Sequence, residues 1–437
     1  MTSSETIAEA KKKLDEGDAR GAFQALRSLI EFPALSPEDA LDWMPRVLLF
    51  AQTMKELAGD DLGEKLNACV PGNDAKALYE AAEALIELDL PRIAASLLVR
   101  ANMLEPHEEP IVTELVSALE RSGFNGAARD LLRGDTNLLE RSFVCRYLLG
   151  FNTVATGDLA EAERILGTLG TPSDETEAHM RSTLSGFVAR GSAARRAGMR
   201  LDSDDLRGWF YVMNGSLLLH ESPHGRDVMG GRYAFVQDAP TNIREAIAKL
   251  AALRDAGVVA VPRVVAVPSR SSEILAQATA TVLGAPLVPF SGDDGDPGLF
   301  VAYDMDELDE AALRALMTHR PGQVLWVHAS CWSQPFAYAP DVVTFLYQYN
   351  AAPWGERLVV DPKTQEATQA PPDDRATGII AEEIVAAKLE EQQTKDVSVL
   401  VALAKADADA EHAAGFRRDH GRRRKLWSDS PVKSASF

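Results

Sequence analysis

Residues 77–106, ALYEAAEALIELDLPRIAASLLVRANMLEP, set small residues at Ala82 and Ala94 and a large one at Leu98. The spacing recurs along the chain. Ala94, Ala128 and Ala162 lie 34 residues apart, followed four residues on by Leu98, Leu132 and Leu166, and preceded twelve residues back by Ala82, Val116 and Gly150. A fixed period of this length marks an array of helix pairs. The small residues let two antiparallel helices approach, and the large ones fill the groove to the next pair.

Two further segments, VTELVSALERSGFNGAARDLLRG (112–134) and RYLLGFNTVATGDLAEAERILGTLG (146–170), carry the same pattern. Leu149 and Gly150 form the Leu-Gly pair of the tetratricopeptide repeat, and Ala101 and Pro106 fall where that motif places a small residue and its closing proline. The three segments resemble tetratricopeptide repeats, although the motif's first aromatic is absent from each. Residues 7–68 are expected to hold two looser pairs, LDEGDARGAFQALRSLIEFP matching through Gly17, Ala22, Leu26 and Pro33. A non-repeat helical bundle is the competing reading. The resemblance implies a concave groove that takes a peptide or helix of another protein.

After about residue 205 strands alternate with helices. VPRVVAVPS, APLVPF, GLFVAYD, GQVLWVHAS and DVVTFLYQY read as strands, and SSEILAQATATVLG and DELDEAALRALMTH as helices between them. Nearly all-apolar strands joined by helices imply a parallel sheet with right-handed crossovers, with ligands beyond the strands' carboxyl ends. The order of elements over residues 205–375 resembles the type I phosphoribosyltransferase fold. The resemblance implies a pyrophosphate loop at Ser269, Arg270, Ser271 and Ser272, and a ribose-binding acid at Asp304.

The chain departs from that family after Asp304. The resemblance calls for a Thr/Gly-rich phosphate cradle there, at a helix N-terminus where backbone amides hold an anion. Asp306, Glu307, Asp309 and Glu310 stand in its place, and four carboxylates repel a phosphate dianion. In the first turn of a helix such acids contribute about 0.3–1 kcal/mol each; a divalent-cation site at Asp304 and Asp306 is the other reading. Ser271 and Ser272 equally suit a surface helix cap, and Arg270 an anion contact. His328 and Cys331 end a strand on the same edge, either as a nucleophile pair or as buried structural groups.

His220, Glu221 and His224 spell H-E-x-x-H, the zincin pattern, which needs a helix to place both histidines on one face. Pro223 lies inside it, at a cost of about 3 kcal/mol to any helix. Upstream, Asn214-Gly215 reads as a hairpin turn between two strands. The motif is therefore expected on a loop leaving a strand, with no metal and no cofactor.

With 46% apolar and 25% charged residues the 437-residue chain has an ordinary globular composition. It lacks an apolar run of the roughly 18 residues that cross a bilayer, so a cytoplasmic protein without membrane contact is expected. Cys69, Cys145 and Cys331 are too scattered for a disulfide framework or zinc ribbon. The formal charge of −20 disfavours general nucleic-acid binding. From residue 413 onward, however, seven bases (Arg417, Arg418, Arg422, Arg423, Arg424, Lys425 and Lys433) face Asp419 and Asp429, a local +5. Such a tail docks on an acidic surface, its own or a partner's, with Trp427 as an anchor, or it is a disordered solubilising end.

The expected architecture is α followed by α/β: a helical-repeat solenoid over 1–200, a parallel-sheet domain over 205–375, then a C-terminal helix and disordered basic tail over 376–437. Two functions follow from it. One is an interaction scaffold whose transferase-like domain does no catalysis. The other is an enzyme acting on a nucleotide-like or phosphorylated small molecule between Ser269, Asp304 and His328.

Overall fold

The computed structural model describes residues 2–35, 40–221, 234–292, 295–360, 367–389, 396–406 and 421–432. The chain divides into two units, Met1–Arg181 and Ser182–Phe437, the boundary falling inside the helix Glu175–Arg196.

The first unit is helical. Its helices run in pairs: Ser3–Asp15 with Ala19–Ile30, Ala40–Ala58 with Asp60–Ala68, Ala75–Glu87 with Pro91–Leu104, Glu109–Arg121 with Asn125–Gly134, and Phe143–Ala155 with Leu159–Thr168. The periodic positions are the buried ones. Ala94, Ala128 and Ala162 have no exposed surface, Leu98, Leu132, Ala82 and Val116 are fully buried, and Gly150 is buried in its helix. In the last pair Ile165 is buried where Leu166 is only half-buried. One hydrophobic core runs from Ala10 to Ile165.

The turns inside the pairs repeat with the same period. Asp89, Gly123 and Gly157, 34 residues apart, all take positive φ, at 59°, 76° and 95°. After each, the next amide returns to a carbonyl five residues back, Leu90 to Leu85, Phe124 to Leu119 and Asp158 to Thr153. This left-handed ending satisfies orphan carbonyls and turns the chain sharply enough for the next helix to pack back. Gly17 serves the first pair in the same way, with Asp18 N–H bonding Lys13 O.

The second unit is built on six parallel strands: β1 Leu217–Leu218, β2 Val264–Ala266, β3 Leu287–Pro289, β4 Gly298–Asp304, β5 Gln323–Cys331 and β6 Val342–Tyr347. Their order is β1-β6-β5-β4-β2-β3. All seven residues of β4 and all six of β6 are buried, which is why they read as unbroken apolar runs rather than alternating ones. One face of the sheet packs Val265, Phe300, Ala302, Leu325 and Val327 against Leu308, Ala312 and Leu316.

Two sequence expectations are corrected. Asn214-Gly215 is no hairpin: Leu206–Asn214 is a helix with every residue buried, ended by Gly215 in the left-handed region. Asp205 caps its start by accepting from Gly208 N, and buried Arg190 donates to its last carbonyls, Val212 O at 2.7 Å and Met213 O at 3.2 Å. An Asn-Gly pair suits a helix C-terminus as well as a hairpin, and here Arg190 and burial decide. The C-terminal helix is two helices, Thr377–Ala386 and Val397–Lys405. Ile380 and Ile384 are buried, and Ala387 is extended and ends the first helix.

Candidate functional site

From β2 the chain runs outward to the edge strand β3, then returns to the other side of β2 as β4. The loops after β2 and β4 therefore flank the point where the strand order reverses, the usual ligand crevice of such a sheet. Ser269, Arg270, Ser271 and Ser272 follow β2, Asp304 ends β4, and Asp306 and Glu307 follow it.

What the first loop holds is a carboxylate of the chain itself. Ser269 caps the helix Arg270–Leu283, its Oγ accepting from Ser272 N–H at 3.0 Å. Glu307 Oε2 lies 3.1 Å from Ser269 Oγ, and Oε1 accepts from Ser271 Oγ at 2.9 Å. Ser271 Oγ in turn accepts the Trp354 indole N–H at 3.0 Å, and Ser272 Oγ accepts the Tyr303 amide at 3.0 Å. Burial raises the Glu307 carboxyl above its ordinary value, opposed by the two serine hydroxyls. Arg270 donates to the main-chain carbonyls of Asp373 at 2.7 Å and Arg375 at 2.8 Å.

Asp304 ends β4 buried. One carboxylate oxygen accepts from Asp306 N–H at 3.0 Å and the other from the Tyr347 hydroxyl at the end of β6. Burial pushes its pKa up to about 6, against these two hydrogen bonds and assisted by the charges of Asp306 and Glu307. Asp306 is raised by burial. Asp309 caps the helix Glu310–Leu316 by accepting from Ala312 N–H at 2.8 Å, so the acidic run is divided among a cap, a helix start and the crevice.

His328 projects to the opposite face. Residues 300, 302 and 304 of β4 pair in register with 325, 327 and 329 of β5, so even-numbered β5 side chains point away from Asp304. His328 is fully buried there, its Nε2 3.0 Å from Asp238 Oδ2 and its Nδ1 3.1 Å from Thr344 Oγ1. Tyr303 OH donates to the same Asp238 oxygen at 2.9 Å, and Trp326 donates to Thr344. Asp304 and His328 thus do not converge on one crevice. Cys331 Sγ lies 3.4 Å from Ser333 Oγ, and His328 is engaged elsewhere.

Of the H-E-x-x-H residues, His220 and Glu221 follow β1, and His224 lies outside the described residues. His220 is buried 3.6 Å from Glu245, and its pKa is lowered well below the ordinary value by burial first, then by Lys249, His328 and Arg207. Around it Lys249 pairs with Glu245 at 3.0 Å and Asp396 at 3.2 Å, and buried Arg207 with Asp396 and Glu221. Arg207 also donates to Leu218 O at 2.8 Å and Lys249 to Leu219 O at 3.0 Å, so Asp396, at the start of the helix Val397–Lys405, is tied to the end of β1. Among the described residues no His, Cys, Asp and Glu group has metal-binding geometry.

The tail candidates also find places in the second unit. Arg422 lies on a two-residue strand, Gly421–Arg422, antiparallel to Thr318–His319. Arg423 is buried against Asp341, Arg424 offers its carbonyl to Ala339 N–H, and Lys425 Nζ sits 4.0 Å over the Trp427 ring. Arg417, Arg418 and Lys433 lie outside the described residues.

Sequence reasoning missed Tyr347, Asp238 and the seat of Glu307. Tyr347 gave a signal as a polar residue at the carboxyl end of a buried strand; the other two depend on long-range packing.

No protein-family model matches the chain, and no curated protein matches it. Among solved structures, the crystal structure of MamA protein is similar at 17% identity over 38% of this chain and 88% of that chain, with a TM-score of 0.23. No helix among the described residues is long and apolar enough to cross a membrane.

Proposed function

We propose that the chain is a protein–protein interaction scaffold: tetratricopeptide-like repeats bind a protein partner, and a degenerate phosphoribosyltransferase-like domain serves as a binding or assembly module. The observation that carries this reading is Glu307 seated on Ser269 and Ser271, where a transferase would need an anion. A carboxylate already satisfying those hydroxyls repels a pyrophosphate, and Arg270, given to two main-chain carbonyls, does not offset it. The scaffold half is supported by the 34-residue period of buried alanines and by Met44 and Leu48, one turn apart on the helix Ala40–Ala58 and 51% and 40% exposed. We assign this exposed apolar pair to the partner surface.

The test is affinity capture from the native source with the full chain, its Met44→Glu, Leu48→Glu variant and its Asp304→Asn variant. Specific partners should be lost with the helix-array substitutions and kept with Asp304→Asn. Partners lost only with Asp304→Asn would refute the scaffold reading. One observation favours the enzyme alternative: Asp304, buried at the switch point with its pKa near 6, is the kind of perturbed acid that active sites use.

A further inference from the structure

Residues 421–432 are bound as a linear peptide is bound. They add nothing to the six-stranded sheet, and their one regular element is the two-residue ladder Gly421–Arg422 against Thr318–His319. Main-chain contacts continue it: Arg423 N–H donates to Met317 O at 2.9 Å, and Ala339 N–H to Arg424 O at 2.8 Å. Farther on, the Asn214 side chain reads the backbone of Trp427 from both sides, Oδ1 accepting its N–H at 2.7 Å and Nδ2 donating to its carbonyl at 3.0 Å.

Side chains supply the selectivity. The Arg423 guanidinium enters the body, donating to Asp341 Oδ2 at 2.7 Å and Leu316 O at 2.9 Å, both charged groups being buried. Leu426 and Val432 are buried, and the Trp427 ring meets Phe187 edge-on at 6.1 Å. The apolar recess beside Trp427 is lined by Leu206, Trp209, Phe210, Met213 and Leu346. Short backbone pairing, one buried arginine and one aromatic anchor are the parts from which peptide-recognition sites are made.

We propose that this face of the second unit is a peptide-recognition groove whose occupant is the chain's own residues 421–432, held as a detachable ligand and recognised by the pattern Arg-x-x-Leu-Trp at Arg423, Leu426 and Trp427. The inference goes beyond the scaffold reading, since it concerns a different surface and does not use the helix array.

The experiment uses the full chain carrying Arg423→Ala and Trp427→Ala, so that its own segment is released, and a fluorescent peptide of residues 421–432. Saturable micromolar binding of the peptide to this variant is expected, with binding to the unaltered chain at least about tenfold weaker because the intrinsic segment competes. A peptide with the same two substitutions should bind neither. A folded variant, by circular dichroism, that takes up no peptide would overturn the proposal. If the variant does not fold, native-state hydrogen exchange on the unaltered chain decides: amides of 421–432 should exchange at least about tenfold faster than those of β5 and β6, through local release. Equal protection would make the segment an integral part of the domain and overturn the proposal.

Discussion

Replacing Asp304 by asparagine should stabilise the second unit at neutral pH and do little near pH 4. Burial moves this carboxyl from 3.8 to about 6, which at about 1.4 kcal/mol per pH unit means that holding it ionised in the fold costs about 3 kcal/mol. Between about pH 4 and 6 the folded chain keeps the proton and the unfolded chain has released it. Stability therefore falls as pH rises through that window and levels off above it. Asparagine removes the charge and still offers one oxygen to Asp306 N–H, while its amide meets a Tyr347 hydroxyl free to rotate as acceptor. The shift to about 6 is already net of both hydrogen bonds, so their charged part is not subtracted again. The net gain at pH 7 is then about 2–3 kcal/mol, shrinking to near zero at pH 4. Urea denaturation followed by tryptophan fluorescence suits the measurement, because Trp209, Trp326, Trp332, Trp354 and Trp427 all lie in the second unit. A difference between variant and parent that stays constant from pH 4 to 7 would refute the assignment of a raised pKa to Asp304.

Three further sets of substitutions test the packing. Leu98→Ala and Leu132→Ala, at fully buried positions, should each cost about 2–5 kcal/mol in far-ultraviolet circular dichroism melts, and Leu166→Ala, half-buried, clearly less. Asp89→Gly should raise stability by about 0.5–1 kcal/mol, because the residue sits at φ 59° where glycine is unstrained and its exposed pair with Arg121 contributes little; a loss above about 1 kcal/mol would show that the pair dominates. Arg423→Ala removes the buried ion pair with Asp341, which keeps the Leu325 N–H, and should release residues 421–432 at a cost of about 1–3 kcal/mol, whereas Arg422→Ala, at an exposed position, should change stability by less than about 0.5 kcal/mol.

The features that sequence made legible are those written in local periodicity. The alanine and leucine positions of the helix pairs were readable because each pair repeats one packing problem. Asp89, Gly123 and Gly157 carried the same signal, though aspartate hides it among two glycines. β4, β5 and β6 were readable because burial on both faces demands continuous apolar runs, whereas β3 is exposed at both ends; the strand before His220 was expected, but as half of a hairpin rather than as the parallel partner of β6. The helix Leu206–Asn214 was misread because its ending, Asn214-Gly215, is shared with hairpins, and because Arg190, which caps it, lies sixteen residues upstream of Leu206. The candidate site was legible as a place and illegible as a network. Position after a strand pointed to Ser269 and Asp304, but nothing local says that Glu307 turns back onto Ser271 or that Tyr347 reaches Asp304. The alternation of faces along β5 does separate His328 from Asp304 once the register is known.

The claim that the crevice is filled by the chain's own carboxylate is tested most directly by isothermal titration calorimetry of the full-length protein with phosphoribosyl pyrophosphate and magnesium. No saturable heat is expected at millimolar ligand, because Glu307 occupies Ser269 and Ser271 and Arg270 is held by the carbonyls of Asp373 and Arg375. Saturable micromolar binding that Asp304→Asn weakens would contradict it and make the second unit an enzyme's active domain.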